Sequence, residues 1–297
     1  MPSTVQELTE RQLVRPPSFL PQNTMYETIM GSVAYGVSSD TSDMDVYGFC
    51  MPPKNNIFPH LAGEIFGFGR QVQRFEQWQQ HHIEDKDALR GKGRVYDLTV
   101  YSIVRYFQLC LENNPNMIDS LFTPHDCVLH ITKIGEMVRG ARRMFLHKGS
   151  WPKFKGYAYA QLHKMKSREA TGKRKHIIEQ FGYDVKFGYH VIRLLDEAEQ
   201  IMLEGNIDLR RNREQLKAIR RGDVPEADLM SMAAEKEKAL ERVYESSTLQ
   251  HSPDESKIKE LLLQCLEEHY GSMNGIIVTD DRYAAAIRGI QDIVGKF

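Results

Sequence analysis

The chain has 297 residues, of which 41% are hydrophobic, and its formal net charge at pH 7 is −1. This length can bury a substantial core and predicts either one large domain or two moderate ones. Four scattered cysteines without a C-x-x-C spacing argue against a zinc site or a disulfide framework and fit a reducing cytosol. No run approaches the roughly 18 apolar residues of a membrane span, and the N-terminal residues lack the apolar core of a signal peptide. We therefore expect a cytoplasmic protein with no membrane partner.

The first predicted strand, residues 25–30, leads directly into a Gly31-Ser32 turn. Glycine lets backbone N–H groups approach a phosphate closely, and the serine hydroxyl adds a further donor. A short loop then leads to Asp43 and Asp45 at the head of the second predicted strand. Because alternate residues of a strand face the same side, both carboxylates would point at one spot. The pattern predicts a phosphate-binding turn beside paired carboxylates.

Paired carboxylates of this kind call for a cation. Two ionised carboxylates about 5 Å apart repel each other by roughly 3 kcal/mol at an effective dielectric constant of about 20. Such a pair either raises the pKa of one member or binds a cation. Mg²⁺ prefers oxygen ligands and is commonly held by one or two carboxylates together with substrate phosphates. We therefore predict a Mg²⁺ site at Asp43 and Asp45, with Mn²⁺ as the alternative ion.

A third carboxylate is expected from a neighbouring strand. Two further strands are predicted over residues 73–83 and 94–98, and a helix over residues 100–111. Asp97 lies near the end of the second of these strands, where the following helix would fix its position, and it is the best candidate for the third metal ligand. The adjacent His81 and His82 would point to opposite faces of their strand, so we interpret them as structural or exposed.

The Gly-Ser turn, the loop and the run Ser42-Asp43-Met44-Asp45 together resemble the signature of the DNA polymerase β nucleotidyltransferase superfamily. A similarity to the branch of bacterial and phage nucleotidyltransferases associated with RNA-repair ligases is carried by Ala34-Tyr35-Gly36, Val46-Tyr47-Gly48, Pro52-Pro53, Asn114-Pro115-Asn116 and Asp119. The resemblance covers residues 25–122. The chain departs from that branch at Val33, where relatives often carry a basic residue, and at Asp119, where they often carry glutamate.

The resemblance implies an enzyme that transfers a nucleoside monophosphate from an NTP to an acceptor hydroxyl and releases pyrophosphate. Gly31 and Ser32 would hold the β- and γ-phosphates of the NTP. Asp43 and Asp45 would bind one or two metal ions, while Asp97 would complete a second metal site and help to deprotonate the acceptor. The resemblance also implies an RNA acceptor, such as a tRNA or a broken RNA end, and association with an RNA-repair ligase.

From residue 126 onward the pattern is helical almost throughout. Helices are predicted over residues 133–146, 156–166, 185–204, 226–244, 256–270 and 281–294. We therefore expect an α+β (α/β) fold in which residues 1–125 form a nucleotidyltransferase domain on a small mixed β-sheet. Residues 126–297 would form a mainly helical domain that binds nucleotide and acceptor.

The predicted helix over residues 185–204 carries a polar stripe. Lys186, His190, Arg193 and Glu197 recur at positions i, i+4, i+7 and i+11, while apolar residues fill another face. One interpretation is a solvated face with helix-spaced ion pairs. The other is that Lys186, His190 and Arg193 face the cleft and bind the triphosphate or the acceptor backbone, which the looser family resemblance of this helix favours.

Basic residues are concentrated in the middle of the chain. Residues 139–193 contain 14 Lys or Arg against three acidic residues, whereas residues 194–270 contain 11 against 18. The predicted nucleic-acid-binding residues are Lys164, Arg168, Lys173, Arg174 and Lys175, with Tyr157 and Tyr159 upstream. Basic residues interleaved with aromatic rings are typical of nucleic-acid contacts, although an exposed basic loop without a function has the same pattern.

Other functions stay open at the level of sequence. The enzyme could instead modify a protein hydroxyl or a small molecule such as an aminoglycoside. The chain could also be a non-catalytic RNA-binding module that retains the fold, or the motif could be an ordinary Gly-Ser turn with an Asp-rich surface loop. The presence of all three predicted carboxylates argues against an inactive site.

Overall fold

The computed structural model describes residues 2–38, 43–57, 74–167, 173–271 and 293–294. Its strands are β1 (Thr24–Ile29), β2 (Met44–Cys50), β3 (Gln77–Asp85), β4 (Arg94–Ser102) and β5 (Val128–Ile131). They form one five-stranded sheet in the order β3-β4-β2-β1-β5. The β2–β4 pair is parallel and the other pairs are antiparallel. The predicted mixed sheet and α+β fold are therefore confirmed.

Helices surround this sheet. Those before β5 are α1 (Thr4–Glu10), α2 (Leu20–Asn23), α3 (Gly31–Ala34), α4 (Lys54–Ile57), α5 (Ala88–Gly91), α6 (Ile103–Leu111) and α7 (Pro115–Phe122). Those after it are α8 (Lys133–Gly140), α9 (Ser150–Ser167), α10 (Lys173–Phe181), α11 (Val185–Glu204), α12 (Arg213–Arg221), α13 (Glu226–Ser246) and α14 (Glu255–Tyr270). No helix among the described residues is both long enough and apolar enough to span a membrane.

The two faces of the sheet pack against different helices. On one face, Val46 and Leu98 contact α1 through Val5 and form a small core. The opposite face, which includes Phe49, packs into the large core formed mainly by helices. Because residues two apart on a strand share a face, the predicted carboxylates of β2 and β4 lie on the helical side of the sheet. The candidate site therefore lies between the sheet and the helices that follow it.

Local capping signals match the structure. Ser3 caps α1 by accepting a hydrogen bond from the backbone N–H of Gln6 at 3.1 Å. Asp184 caps α11 by accepting from the N–H groups of Lys186 and Phe187. These bonds satisfy backbone donors that have no partner within the helix. The predicted limits of the 185–204 helix are confirmed.

Three sequence predictions require correction. The helix predicted over residues 100–111 begins at Ile103, because the preceding residues extend β4 alongside β2. The helix predicted over 133–146 ends at Gly140 and is followed by a 3₁₀ turn at Arg142–Phe145. Strand β5 lies in the half predicted to be helical. The sequence did not predict this strand, because only its pairing with β1 distinguishes four such residues from a short connection. The final helix predicted over 281–294 lies almost wholly outside the described residues.

The sheet and the large hydrophobic core both extend across the predicted domain boundary near residue 125. Strand β5 follows that boundary yet pairs with β1, and Phe49 and Val191 belong to one hydrophobic core. Residues on both sides of the boundary thus contribute to the sheet and to the core. The division into residues 1–125 and 126–297 stays a prediction.

Candidate active site

Asp45 and Asp97 lie side by side at one end of the sheet. They are direct partners in the parallel β2–β4 register, so their side chains project from the same face. Burial and the charge of Asp97 raise the pKa of Asp45, and Lys186 partly offsets this increase. The exposed Asp43 also raises the pKa of Asp45. The structure thus places Asp45 beside Asp97, with Asp43 near enough for its charge to act on Asp45.

The glycine turn packs directly against Asp45. Gly31 follows β1 with φ of +65°, a backbone conformation that favours glycine. A Cβ atom at this position would overlap the Oδ2 atom of Asp45, so the carboxylate occupies the space that any other side chain would need. The N–H of Met30 donates to the carbonyl oxygen of Asp45 at 2.7 Å and joins the turn to β2. Ser32 is partly exposed beside it.

A β-bulge in β3 brings the side chain of His81 and the backbone N–H of His82 to Asp97. The register shifts between Gln80 and Ile83, and His82 has φ of +54°. The N–H of His82 donates to Asp97 Oδ1 at 2.7 Å, and His81 Nδ1 lies 3.7 Å from Asp97 Oδ2. Both histidines are exposed, as expected. His81 approaches Asp97 with its side chain, whereas His82 contacts it through the backbone, so the prediction that the two side chains point to opposite faces stays a prediction. They hold the third carboxylate.

The first turns of α11 supply positive charge to the site. Lys186 is exposed, and its charge lowers the pKa of Asp45. Burial lowers the pKa of His190 well below its usual value, and the neighbouring charges of Arg193, Lys186, Arg220 and Lys164 add to this effect. A partly buried neutral imidazole thus lies among cations. The arrangement favours the binding of an anion at this face.

Arg193 and Glu197 belong to a buried ion network. Arg193 Nη1 lies 2.5 Å from Asp119 Oδ2 and 2.8 Å from Glu197 Oε1. Tyr35, from the turn after Gly31, donates its hydroxyl to Asp119 at 2.8 Å, and the guanidinium lies 4.2 Å from the centroid of its ring. The interpretation of the whole polar stripe as a solvated face was therefore wrong, because Arg193 is only 5% exposed. The network joins α7 and α11 to the turn that follows β1.

The ionisation of Glu197 should make stability depend on pH. Burial raises the pKa of this carboxyl well above its usual value, while Arg193 opposes the increase. A raised folded-state pKa contributes stability that is complete below the unfolded pKa and is lost as the pH rises through the folded pKa. We expect the wild type to lose stability relative to Glu197→Gln between pH 5 and pH 9, measured as the urea midpoint at each pH.

A matched glutamate on the same helix serves as the control. Arg211 lowers the pKa of Glu204 through a hydrogen bond at the exposed end of α11. The stability that a lowered pKa contributes is present above the unfolded pKa and is lost only as the pH falls through the folded value. Glu204→Gln should therefore show no trend relative to wild type over this range. An equal trend in both variants would contradict the assignment to Glu197.

Two arginines that the sequence analysis missed hold the backbone of the turn. Arg210 Nε donates to the carbonyl oxygen of Ala34 at 3.3 Å, and its Nη1 pairs with Asp126 at 2.9 Å. Arg220 Nη1 donates to the carbonyl oxygen of Val37 at 3.0 Å. The available signal was a concentration of arginines in and just before α12, but such a pattern is equally typical of an exposed helix.

The predicted nucleic-acid-binding residues are only partly described. Lys164 is exposed on α9, and its charge reaches His190. Lys175 is exposed on α10, with its Nζ atom 3.9 Å from Glu179. Lys173 and Arg174 lie in α10, but their side chains, like the whole of Arg168, are outside the described residues. Of this set, Lys164 lies near His190 of α11 and therefore near the candidate active site.

The described residues include no group of three or more His, Cys, Asp or Glu side chains arranged to hold a metal ion. Asp45 and Asp97 nevertheless offer adjacent carboxylates, and burial together with the charge of Asp97 raises the pKa of Asp45. Oxygen donors of this type suit a hard divalent cation that takes its remaining ligands from substrate phosphates and water. The chemistry of the donor set therefore fits Mg²⁺.

The mixed sheet carries a glycine-serine turn after β1 and paired carboxylates on β2 and β4, the next two strands in the sheet. This arrangement defines the class as a nucleotidyltransferase of the polymerase β type. The chain matches the RNA repair pathway DNA polymerase beta family (RlaP) over residues 4–264 and belongs to that family. It is thus an enzyme of the nucleotidyltransferase class, and the non-catalytic alternatives are not retained.

A nucleotidyltransferase-like protein from Exiguobacterium sibiricum, known from a crystal structure, is similar to this chain at 8% sequence identity and a TM-score of 0.29. The similarity covers 89% of this chain and 79% of that one. No curated protein matches the chain.

Proposed function

We propose that this protein is a Mg²⁺-dependent enzyme that transfers a nucleoside monophosphate from an NTP to a hydroxyl group of RNA and releases pyrophosphate. Mn²⁺ is the alternative ion. The observation that supports this proposal best is the pairing of Asp45 with Asp97 in one strand register, with Gly31 packed against Asp45. Metal-assisted phosphoryl transfer requires carboxylates that hold the metal ion close to a turn that binds the phosphates.

The phosphate groups of the NTP would bind between the turn and α11. Gly31 and Ser32 offer backbone and hydroxyl donors to the β- and γ-phosphates, while Lys186 and His190 approach from the helix. A divalent cation held by Asp43, Asp45 and Asp97 would neutralise the triphosphate and polarise the phosphoryl oxygens. Positioning and charge neutralisation carry most of the catalysis in reactions of this type.

Asp97 would orient the acceptor hydroxyl. Its Oδ1 atom already accepts from the N–H of His82, which leaves Oδ2 to face the reacting groups. The acceptor oxygen would attack the α-phosphorus while the bond to the β-phosphate oxygen breaks. The hydroxyl proton would pass to Asp97, and the leaving group would be pyrophosphate. Asp97 would thus serve both as a metal ligand and as the proton acceptor, whereas Asp43 and Asp45 would serve as metal ligands.

Arg193 would contribute mainly as a positioning residue. Direct nucleotide contact was predicted for it, but its Nη1 atom is bound by Asp119 and Glu197 inside the core. The same network holds Tyr35, four residues after Gly31. We therefore assign Arg193 to the support of the phosphate-binding turn, with Lys186 and His190 nearer the substrate.

The acceptor is best tested by following label from the NTP. The purified protein would be incubated with Mg²⁺ and each α-³²P-labelled NTP, with and without total RNA, and label would be measured in RNA, protein and small-molecule fractions. Label in RNA would support the proposal, and an RNA-repair ligase is then the partner that the family suggests. Label in protein or in a small molecule would favour the alternative acceptors.

Salt dependence gives an independent prediction about the RNA. Phosphate contacts release counterions, so log affinity should fall linearly as log salt rises. Lys164→Gln is expected to reduce this slope by about one, as for the loss of a single phosphate contact. The slope is measured from the affinity for a labelled RNA at several KCl concentrations. Lys133→Gln, at an exposed lysine of α8, is the control, and an equal slope for wild type and Lys164→Gln would contradict an RNA contact at Lys164.

A further inference from the structure

Three tyrosines lie beside the carboxylates on the helical side of the sheet. Tyr47 follows Asp45 by two residues on β2 and shares its face, and Tyr101 lies on the same face of β4. Their ring centroids are 6.4 Å apart at an interplanar angle of 64°. Tyr157 reaches the same place from α9. Burial and the nearby Tyr101, Asp45, Asp97 and Tyr157 together raise the pKa of Tyr47 to about 12.

This tyrosine cluster (Tyr47, Tyr101 and Tyr157) is accessible and held in place. Each of the three is partly exposed although it packs against the large core. The Nδ2 atom of Asn114 donates to the hydroxyl of Tyr157 at 2.9 Å, while its Oδ1 atom caps α7 by accepting from the N–H of Asn116. The Asn-Pro-Asn turn thus fixes one ring of the cluster. Within the described residues, the hydroxyls of Tyr47 and Tyr101 form no hydrogen bond.

The cluster and the phosphate-binding turn lie on opposite sides of Asp45. In the antiparallel β1–β2 pair, Ile29 faces Val46, so Gly31 lies level with Met44 at the N-terminal end of β2. Tyr47 lies about 7 Å from Asp45 in the other direction, since a strand rises by about 3.3 Å per residue. A nucleotide with its β- and γ-phosphates at the turn and its α-phosphate at the carboxylates would therefore extend its sugar and base over the tyrosines.

We propose that the tyrosine cluster is a stacking site for the nucleobase of the incoming NTP. The proposal rests on the proposed function, because it takes the position of the triphosphate from it. Aromatic stacking tolerates every base, since each base has a π-face. The cluster would therefore strengthen the binding of all four NTPs and leave the choice among them to other contacts.

The experiment uses 2-aminopurine riboside triphosphate, whose fluorescence is quenched when its base stacks. It would be titrated with the full-length protein and Mg²⁺, in the absence of RNA. Tyr47→Leu and Tyr157→Leu are each expected to weaken binding roughly 5- to 150-fold and to reduce the quenching. Tyr47→Phe and Tyr157→Phe retain the ring and should bind within about twofold of wild type.

Two controls separate stacking from other effects. Tyr159→Leu changes a more exposed tyrosine on the same helix, whose hydroxyl instead donates to Glu237, and it should bind like wild type. Inorganic tripolyphosphate has no base, so its affinity, measured by competition, should be the same in every variant. A parallel loss of tripolyphosphate and nucleotide affinity in the leucine variants would overturn the proposal, because the damage would then lie in the phosphate site or the fold.

The remaining outcomes are also decisive. Wild-type affinity for the fluorescent nucleotide in both leucine variants would overturn the stacking site but leave the proposed function intact. A second titration would use an RNA whose terminal base is 2-aminopurine. Quenching with this RNA but not with the nucleotide would overturn the assignment to the NTP and show that the cluster binds the acceptor. If wild type binds neither nucleotide nor tripolyphosphate, the proposed function itself fails.

Discussion

Replacing Asp45 with asparagine is expected to reduce nucleotidyl transfer by at least roughly 10²- to 10³-fold while the protein stays folded. The change keeps the size of the side chain beside Gly31 but removes one of two adjacent negative charges that suit a cation. Transfer of label from α-³²P-NTP at saturating Mg²⁺ measures the effect. Because burial and Asp97 raise the pKa of Asp45, removing this charge should also leave the metal-free protein at least as stable as wild type.

Metal binding can be followed without activity. A ligand that binds only the folded state raises the melting temperature, so Mg²⁺ should stabilise wild type more than Asp45→Asn. Asp87→Asn, at a carboxylate whose side chain is 94% exposed, is the matched control for both measurements. Wild-type transfer by Asp45→Asn would exclude this site as the catalytic centre.

Replacing Arg193 with alanine is expected to lower the free energy of unfolding by about 3–5 kcal/mol, the usual cost of removing one partner of a buried ion pair. Asp119 and Glu197 would both lose the guanidinium that donates to them, and each is at most 2% exposed. The ring of Tyr35 would also lose its cation contact. Urea unfolding at pH 7, followed by circular dichroism, measures the change.

The control is an arginine in the connection between α11 and α12. Arg211 pairs with Glu204 on the surface, where both side chains are about 40% exposed. Exposed ion pairs contribute about 1 kcal/mol or less, so Arg211→Ala should change stability little. Arg193→Lys should also be destabilised, because an ammonium group lacks the planar geometry that pairs with two carboxylates and stacks on a ring. Near-wild-type stability of Arg193→Ala would show that the network contributes little to the fold.

The sequence alone was sufficient for features whose causes lie within a few residues. The Gly31-Ser32 turn after a strand depends on the backbone freedom of glycine. The same-side placement of Asp43 and Asp45 stays a prediction, because β2 begins at Met44. The 185–204 helix follows from its apolar periodicity and the Asp184 cap. The mixed sheet and the family could likewise be inferred from the Gly-Ser turn and the Asp-Met-Asp run, because these lie within 15 residues of each other.

Only the tertiary structure decided which of these groups meet. The pairing of Asp45 with Asp97 is a matter of strand register, and the bulge at His82 appears only once β3 pairs with β4. Arg193 is 74 residues from Asp119, and Arg220 is 183 residues from the carbonyl of Val37 that it binds. Hydrophobic periodicity identifies the buried face of each element but carries no information about its partner. The polar stripe of α11 therefore left two interpretations open until the packing buried Arg193 and left Lys186 exposed at the cleft.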